Sequence, residues 1–134
     1  MRRTLGTLAV LLILAGCGDQ TSAGSPSPES PTQEVVLLTQ TAGGGDVEDR
    51  ATDVSDEDDL TAYVDQFDDP LAQQVVEAAA RLEGSTVLAQ VVYVGCGAPS
   101  SAQLKGEVIV PAKVDDADKE CFAPVTTVAL AATD

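Results

Sequence analysis

The order of sequence periodicities predicts a small α+β domain, an antiparallel sheet of about four strands with two helices inserted after the first strand. Three observations carry that expectation. Short apolar runs of strand length open and close the domain, at 34–39 and 125–132. Two stretches with helical spacing lie between residues 55 and 82. A third run, 86–94, is apolar on both of its alternating faces, as a central strand covered on each side should be. The expected organisation is therefore a leader at 1–16, a tether at 17–33 and one folded domain at 34–134.

Glu34 to Thr39 (EVVLLT) is rich in β-branched and aliphatic residues and bounded by polar ones, the pattern of a buried strand. Gly43-Gly44-Gly45 follows and is expected to form a turn or flexible loop. It is not a phosphate cradle, because no Lys follows in the required spacing and Asp46, Glu48 and Asp49 would repel phosphate. Residues 53–59 (DVSDEDD) form the densest acidic cluster. A calcium site would use such carboxylates, with Asp56, Asp58 and Asp59 as the candidates, but the EF-hand glycine and closing glutamate are absent. Helix initiation accounts for the same residues. Ser55 can cap a helix with Asp58 three residues on, and first-turn carboxylates suit the helix dipole. Leu60, Val64 and Phe67 then mark one apolar face.

The second helix is expected to start at Asp69-Pro70, with Asp69 as cap and Pro70 first in the helix. Leu71, Val75, Ala78, Ala79 and Leu82 form its buried face, and Gly84 ends it. In the central strand, Val87, Ala89, Val91 and Tyr93 are expected on one side, with Leu88, Val92 and Val94 on the other. Residues 102–104 and 107–110 read as further strands joined at Lys105-Gly106 by a hairpin turn or bulge. Residues 114–119 are expected to form an exposed loop, and 125–132 to close the sheet.

The leader has its own logic. Met1-Arg2-Arg3 is a positive start, Leu5 to Ala15 is an almost unbroken apolar run, and Leu14-Ala15-Gly16-Cys17 closes it with small residues and a thiol. That run is about a dozen residues, short of the roughly 17–25 that a spanning helix needs. The ending LAGC resembles the lipobox of bacterial lipoproteins. The resemblance implies cleavage after Gly16, a diacylglyceryl group on the Cys17 sulfur, and an anchor at the outer face of the cell membrane. Two acyl chains make such anchoring durable, where one gives only marginal binding. Residues 18–32 (GDQTSAGSPSPESPT) carry no apolar cluster and read as a tether.

With Cys17 assigned to lipid, Cys96 and Cys121 remain, an even number in an exported chain. They are expected to form one disulfide enclosing about 25 residues, contributing roughly 3–4 kcal/mol by the chain-entropy argument. It would tie the exit of the central strand to the entry of the last one.

Charge and composition exclude several functions. The formal net charge is −15, and removing Arg2 and Arg3 with the leader leaves five basic residues against all 22 acidic ones. Such a surface repels nucleic acid and anionic headgroups. Histidine is absent, so neither a Ser-His-Asp nor a Cys-His constellation can be built, and the commonest transition-metal ligand is missing. Adjacent acids at Asp68-Asp69 or Asp115-Asp116 could act as acid and base, but acids on turns serve solvation far more often. No cofactor is expected, and the chain is expected to be non-catalytic.

The layout of a lone first strand, a helical insert and then three strands is similar to that of the protease-complex accessory (PrcB-like) domain. Residues 86–95, ending in Gly95, stand where that family has its apolar strand ending in glycine. Its Gly-Gly-Tyr turn is replaced here by Ala98-Pro99-Ser100-Ser101, and no functional residue carries over. Two functions follow as expectations. One is a membrane-tethered interaction domain with an extracytoplasmic protein partner. The other is a lipoprotein that gathers a cation or small cationic ligand on the acidic cluster.

Overall fold

The computed structural model describes residues 33–115 and 120–134. The leader, Gly16, Cys17 and the tether up to residue 32 lie outside these residues, as does Asp116. The described residues belong to one compact unit, Pro31–Asp134.

The elements in chain order are β1 (Val35–Thr41), β2 (Thr52–Asp53), α1 (Glu57–Val64), α2 (Leu71–Arg81), β3 (Thr86–Gly95), β4 (Ala102–Lys105), β5 (Val108–Pro111) and β6 (Val125–Thr133). The fold is α+β. Four strands pair antiparallel in the order β1-β6-β3-β2, and β4 and β5 form a separate two-stranded hairpin. Both helices follow the first strand. The expected strands at 102–104 and 107–110 are present, but they pair only with each other among the described residues. Their turn is Gly106-Glu107, since Lys105 faces Val108, and Gly106 adopts the positive φ such a turn requires.

Three layers result, because β3 and β6 are apolar on both faces. On one face, Val87, Ala89, Val91, Val128 and Leu130 meet Tyr63, Leu71, Val75 and Ala78 from the helical side. On the other, Val92, Ala129 and Ala131 meet Ile109, Leu104 and Ala102 of the hairpin. The hairpin is the cover that the two-sided apolarity of 86–94 demands. Alanines on β6 and α2 keep the layers close. Burying chains such as Leu71, Val75, Leu130 and Ile109 completely contributes about 1.5–3 kcal/mol each.

Several local expectations are corrected. In β3 the register slips between Val91 and Tyr93, a bulge that turns Val92 and Tyr93 toward the hairpin and Val94 toward the helices. Tyr93 therefore does not share the face of Val87, Ala89 and Val91. Ser55 does not cap α1, whose N-cap is Asp56 without a side-chain bond. The Ser55 hydroxyl is drawn instead to β2 and β3, donating to Asp53 Oδ1 and accepting from the Val87 N–H. Helix α1 stops at Val64, so Phe67 lies beyond it; Tyr63 and Phe67 are the buried aromatics, edge to face at 5.5 Å. Helix α2 begins at Leu71, with Pro70 as its cap in place of Asp69, and ends at Arg81 before Gly84 is reached.

The glycine run is packed in place. Gly43 is buried, its carbonyl accepts the Asp68 N–H at 2.9 Å, and the Gly44 carbonyl accepts the Thr126 hydroxyl at 2.8 Å. Gly44 and Gly45 both have φ near +77°, and a Cβ on Gly45 would stand 2.7 Å from the Phe67 ring. Only glycine fits there. The run is thus a fixed crossing that carries the chain from β1 at one edge of the sheet to β2 at the other.

Candidate functional site

The two edges of the sheet are built differently, and that difference defines the candidate site. At the β3 edge, residues 48–54 run alongside the strand. The Glu48 N–H donates to the Val91 carbonyl at 3.0 Å and the Val54 N–H to the Val87 carbonyl at 2.8 Å, with the two residues of β2 between them. The Glu48 carboxylate completes this cover beside the bulge. Its Oε2 accepts the Val91 N–H at 2.7 Å and the Tyr63 hydroxyl at 2.8 Å. Burial, then the bond to Glu48 and its negative charge, push the Tyr63 hydroxyl far above the usual phenol range. Gln90, buried in β3, donates to the Glu48 carbonyl at 2.8 Å and accepts the Ile109 N–H at 2.7 Å. Those two bonds tie the covered edge to the hairpin.

At the other edge, β1 pairs with β6 along its full length, from Val35 opposite Ala131 to Thr41 opposite Val125. Among the described residues no strand pairs with its outer side. In an antiparallel pair every second residue turns its N–H and C=O away from the neighbour. Among the described residues β1 therefore leaves alternate backbone groups without a strand partner along its seven residues, about 23 Å at the usual rise per residue, and the Gln40 side chain reaches only the Thr41 carbonyl, at 3.4 Å. It contains no Lys, no Pro and no bulge, the devices that normally blunt an edge.

Alongside this edge runs a groove of about 280 Å³ between β1 and α2. Val36, Leu38, Ala78 and Leu82 supply apolar walls, and Glu34, Gln74, Glu77 and Arg81 supply polar ones. Arg81 is paired with Glu77 at 3.4 Å on the exposed helix surface, which leaves the Glu34 carboxylate at the strand's start. Helix α2 lies over β1 and β6 because its buried stripe of Leu71, Val75 and Ala78 packs there, and its outer Gln74, Glu77 and Arg81 consequently rim the groove. A second depression of about 410 Å³ lies across α2, lined by Val64, Ala72, Gln73, Val76 and Glu77.

The other sequence candidates fall away from this edge. Cys96 and Cys121 stand at disulfide distance, with Cα atoms 5.7 Å apart, at the end of the sheet where Gly95 of β3 pairs with Val125 of β6. The two strands that the bond was expected to tie are thus antiparallel neighbours. Asp56, Asp58 and Asp59 sit in and before the first turn of α1, and among the described residues no three His, Cys, Asp or Glu side chains gather to hold a metal ion. Asp68 and Asp69 lie in the link between the helices, and Asp115 is exposed. Asp53 is solvated, and the Ser55 hydroxyl and N–H donating to it hold its carboxyl below the usual range. No described helix is long and apolar enough to cross a membrane.

Sequence reasoning missed both Glu48 and the open edge. The only signal for Glu48 was an acid between Val47 and the charged pair Asp49-Arg50, which looks like any solvated loop. No protein-family model matches the chain, and no curated protein and no solved structure matches it either.

Proposed function

We propose that this chain is an extracytoplasmic lipoprotein, anchored through lipid on Cys17 at the cell membrane, whose folded unit is a non-catalytic protein-interaction domain. The observation that carries the interaction reading is the unpaired edge of β1. A protein that covers one sheet edge with a dedicated segment, and among the described residues leaves the outer side of the other unpaired, keeps a surface suited to another polypeptide. The anchoring reading rests on the residues of the leader, from the positive start to Leu14-Ala15-Gly16-Cys17.

The test is cross-linking on intact cells that express the full-length protein, with captured species identified by mass spectrometry. A Cys96→Ser/Cys121→Ser variant is the misfolded control. One reproducible partner that is lost in the control supports the reading, and its absence in repeated captures overturns it. Mass measurement of the mature chain checks the anchor: a diacylglyceryl adduct on an N-terminal Cys17 is expected, and a chain still carrying residues 1–16 overturns it.

A further inference from the structure

We propose that the β1 edge takes up an extended segment of a partner protein as a fifth strand of the sheet, apolar at alternate positions and basic at one end. This rests on the interaction reading above and names how and what the surface binds.

Three features specify the occupant. The bare backbone groups of β1 call for an extended main chain, since only another strand matches their spacing. The groove takes the alternate side chains. Residues i and i+2 of an added strand face the same side, so two apolar side chains would lie beside Val36 and Leu38, against Ala78 and Leu82 of α2. Charge selects the ends. The chain carries a formal −15, and at the groove Arg81 is already engaged by Glu77, so the Glu34 side of the strand favours Lys or Arg on the incoming segment.

The same features disfavour the nearer alternatives. Two copies joined through β1 would bring together two strongly acidic molecules, across a one-strand seam smaller than the roughly 1,200–2,000 Å² of a stable interface. Residues 18–32 of this chain offer no alternating apolar pair and carry Pro26, Pro28 and Pro31, which cannot donate to a ladder.

The experiment is an amide NMR titration of the full chain, purified in non-ionic detergent, with the peptide Lys-Thr-Val-Thr-Val-Thr-Lys. Saturable shifts confined to residues 35–41 and 74–82 are expected, together with slowed hydrogen exchange in β1. N-methylation of alternate peptide amides is expected to abolish binding, and Glu34→Lys/Glu77→Lys to weaken it roughly tenfold. Asp58→Lys/Asp59→Lys, on the first turn of α1, reverses the same charge elsewhere and is expected to leave the affinity within twofold. No saturable shift in β1, shifts centred on other elements, or binding indifferent to N-methylation would each overturn the proposal. Concentration-dependent shifts in β1 without peptide would also overturn it, in favour of a second copy. Repeating the cellular cross-linking with Glu34→Lys/Glu77→Lys separates the two readings. A partner captured undiminished by this variant overturns the edge proposal and leaves the interaction reading standing, whereas no partner from the unaltered protein overturns the interaction reading itself.

Discussion

The edge at β3 and the edge at β1 belong to one sheet and solve one problem, the disposal of unpaired backbone groups, in opposite ways. At β3 the chain doubles back. Glu48, Thr52, Asp53 and Val54 cover the strand, and at Val91 the Glu48 carboxylate accepts the N–H that faces away from β6. At β1 nothing among the described residues does so, although its first four residues are apolar. The difference separates a structural edge from the candidate binding edge. The covered edge carries buried polar groups that stabilise the fold, and the open edge carries exposed ones whose loss the fold would not notice.

Substitutions can break that contrast in graded steps. Glu48→Ala strikes hardest, because it strands the Val91 N–H and the Tyr63 hydroxyl in half-buried surroundings. Denaturant unfolding is expected to show a loss of about 3 kcal/mol, with Glu48→Gln recovering part of it through its remaining oxygen. Gln90→Leu comes next, at about 2 kcal/mol, since the fully buried Ile109 loses its acceptor and the hairpin its tie to the sheet. Accelerated hydrogen exchange in β4 and β5 would identify that route.

Tyr63→Phe removes one hydroxyl and leaves its acceptor another partner, so about 1 kcal/mol is expected at neutral pH. This site also has a pH signature. The Tyr63 hydroxyl titrates higher in the folded state than in the unfolded one, so its contribution is complete below the unfolded phenol value of about 10 and is lost as pH climbs beyond it. The alkaline fall in stability is expected to be shallower in Tyr63→Phe, and equal slopes would contradict the placement of that hydroxyl against Glu48. At the open edge, Glu34→Lys/Glu77→Lys is expected to move stability by no more than about 0.5 kcal/mol, as surface substitutions do. A larger loss would mean that the β1 edge is structural after all, and the contrast would fail.

How much of this was legible in the sequence follows from how local each cause is. The strands at 34–39, 86–94 and 125–132 and the second helix, expected from Pro70 toward Gly84 and observed at Leu71–Arg81, were legible, because alternation and helical spacing are written within a few residues. Ser55 shows where local rules stop. Its hydroxyl satisfies the capping pattern with Asp58, but folding brings the Val87 N–H within 2.9 Å, and the distant donor wins. The bulge in β3 was illegible because 91–94 is apolar at every position, so a slipped register leaves no trace in the pattern. The glycine run looked loose because a tight crossing and a flexible loop use the same residues. Strand order is the deepest case, since nothing in β1 itself says that β6 will lie on one side of it and, among the described residues, no strand on the other. The candidate site was therefore invisible until the topology was known.

The topology has one more consequence, for the order of events along the chain. β6 follows every other element in sequence, yet it is the strand that joins β1 to β3, and both layers of the core close on its residues 128–131. A chain emerging from its N-terminal end has two helices and several strands but no centre to assemble them on, and the long-range pairing that remains is of the slow kind. Such a chain stays threadable until its last strand is released. Were the chain exported as proposed above, this order of elements would defer compaction until residues 125–133 had crossed the membrane.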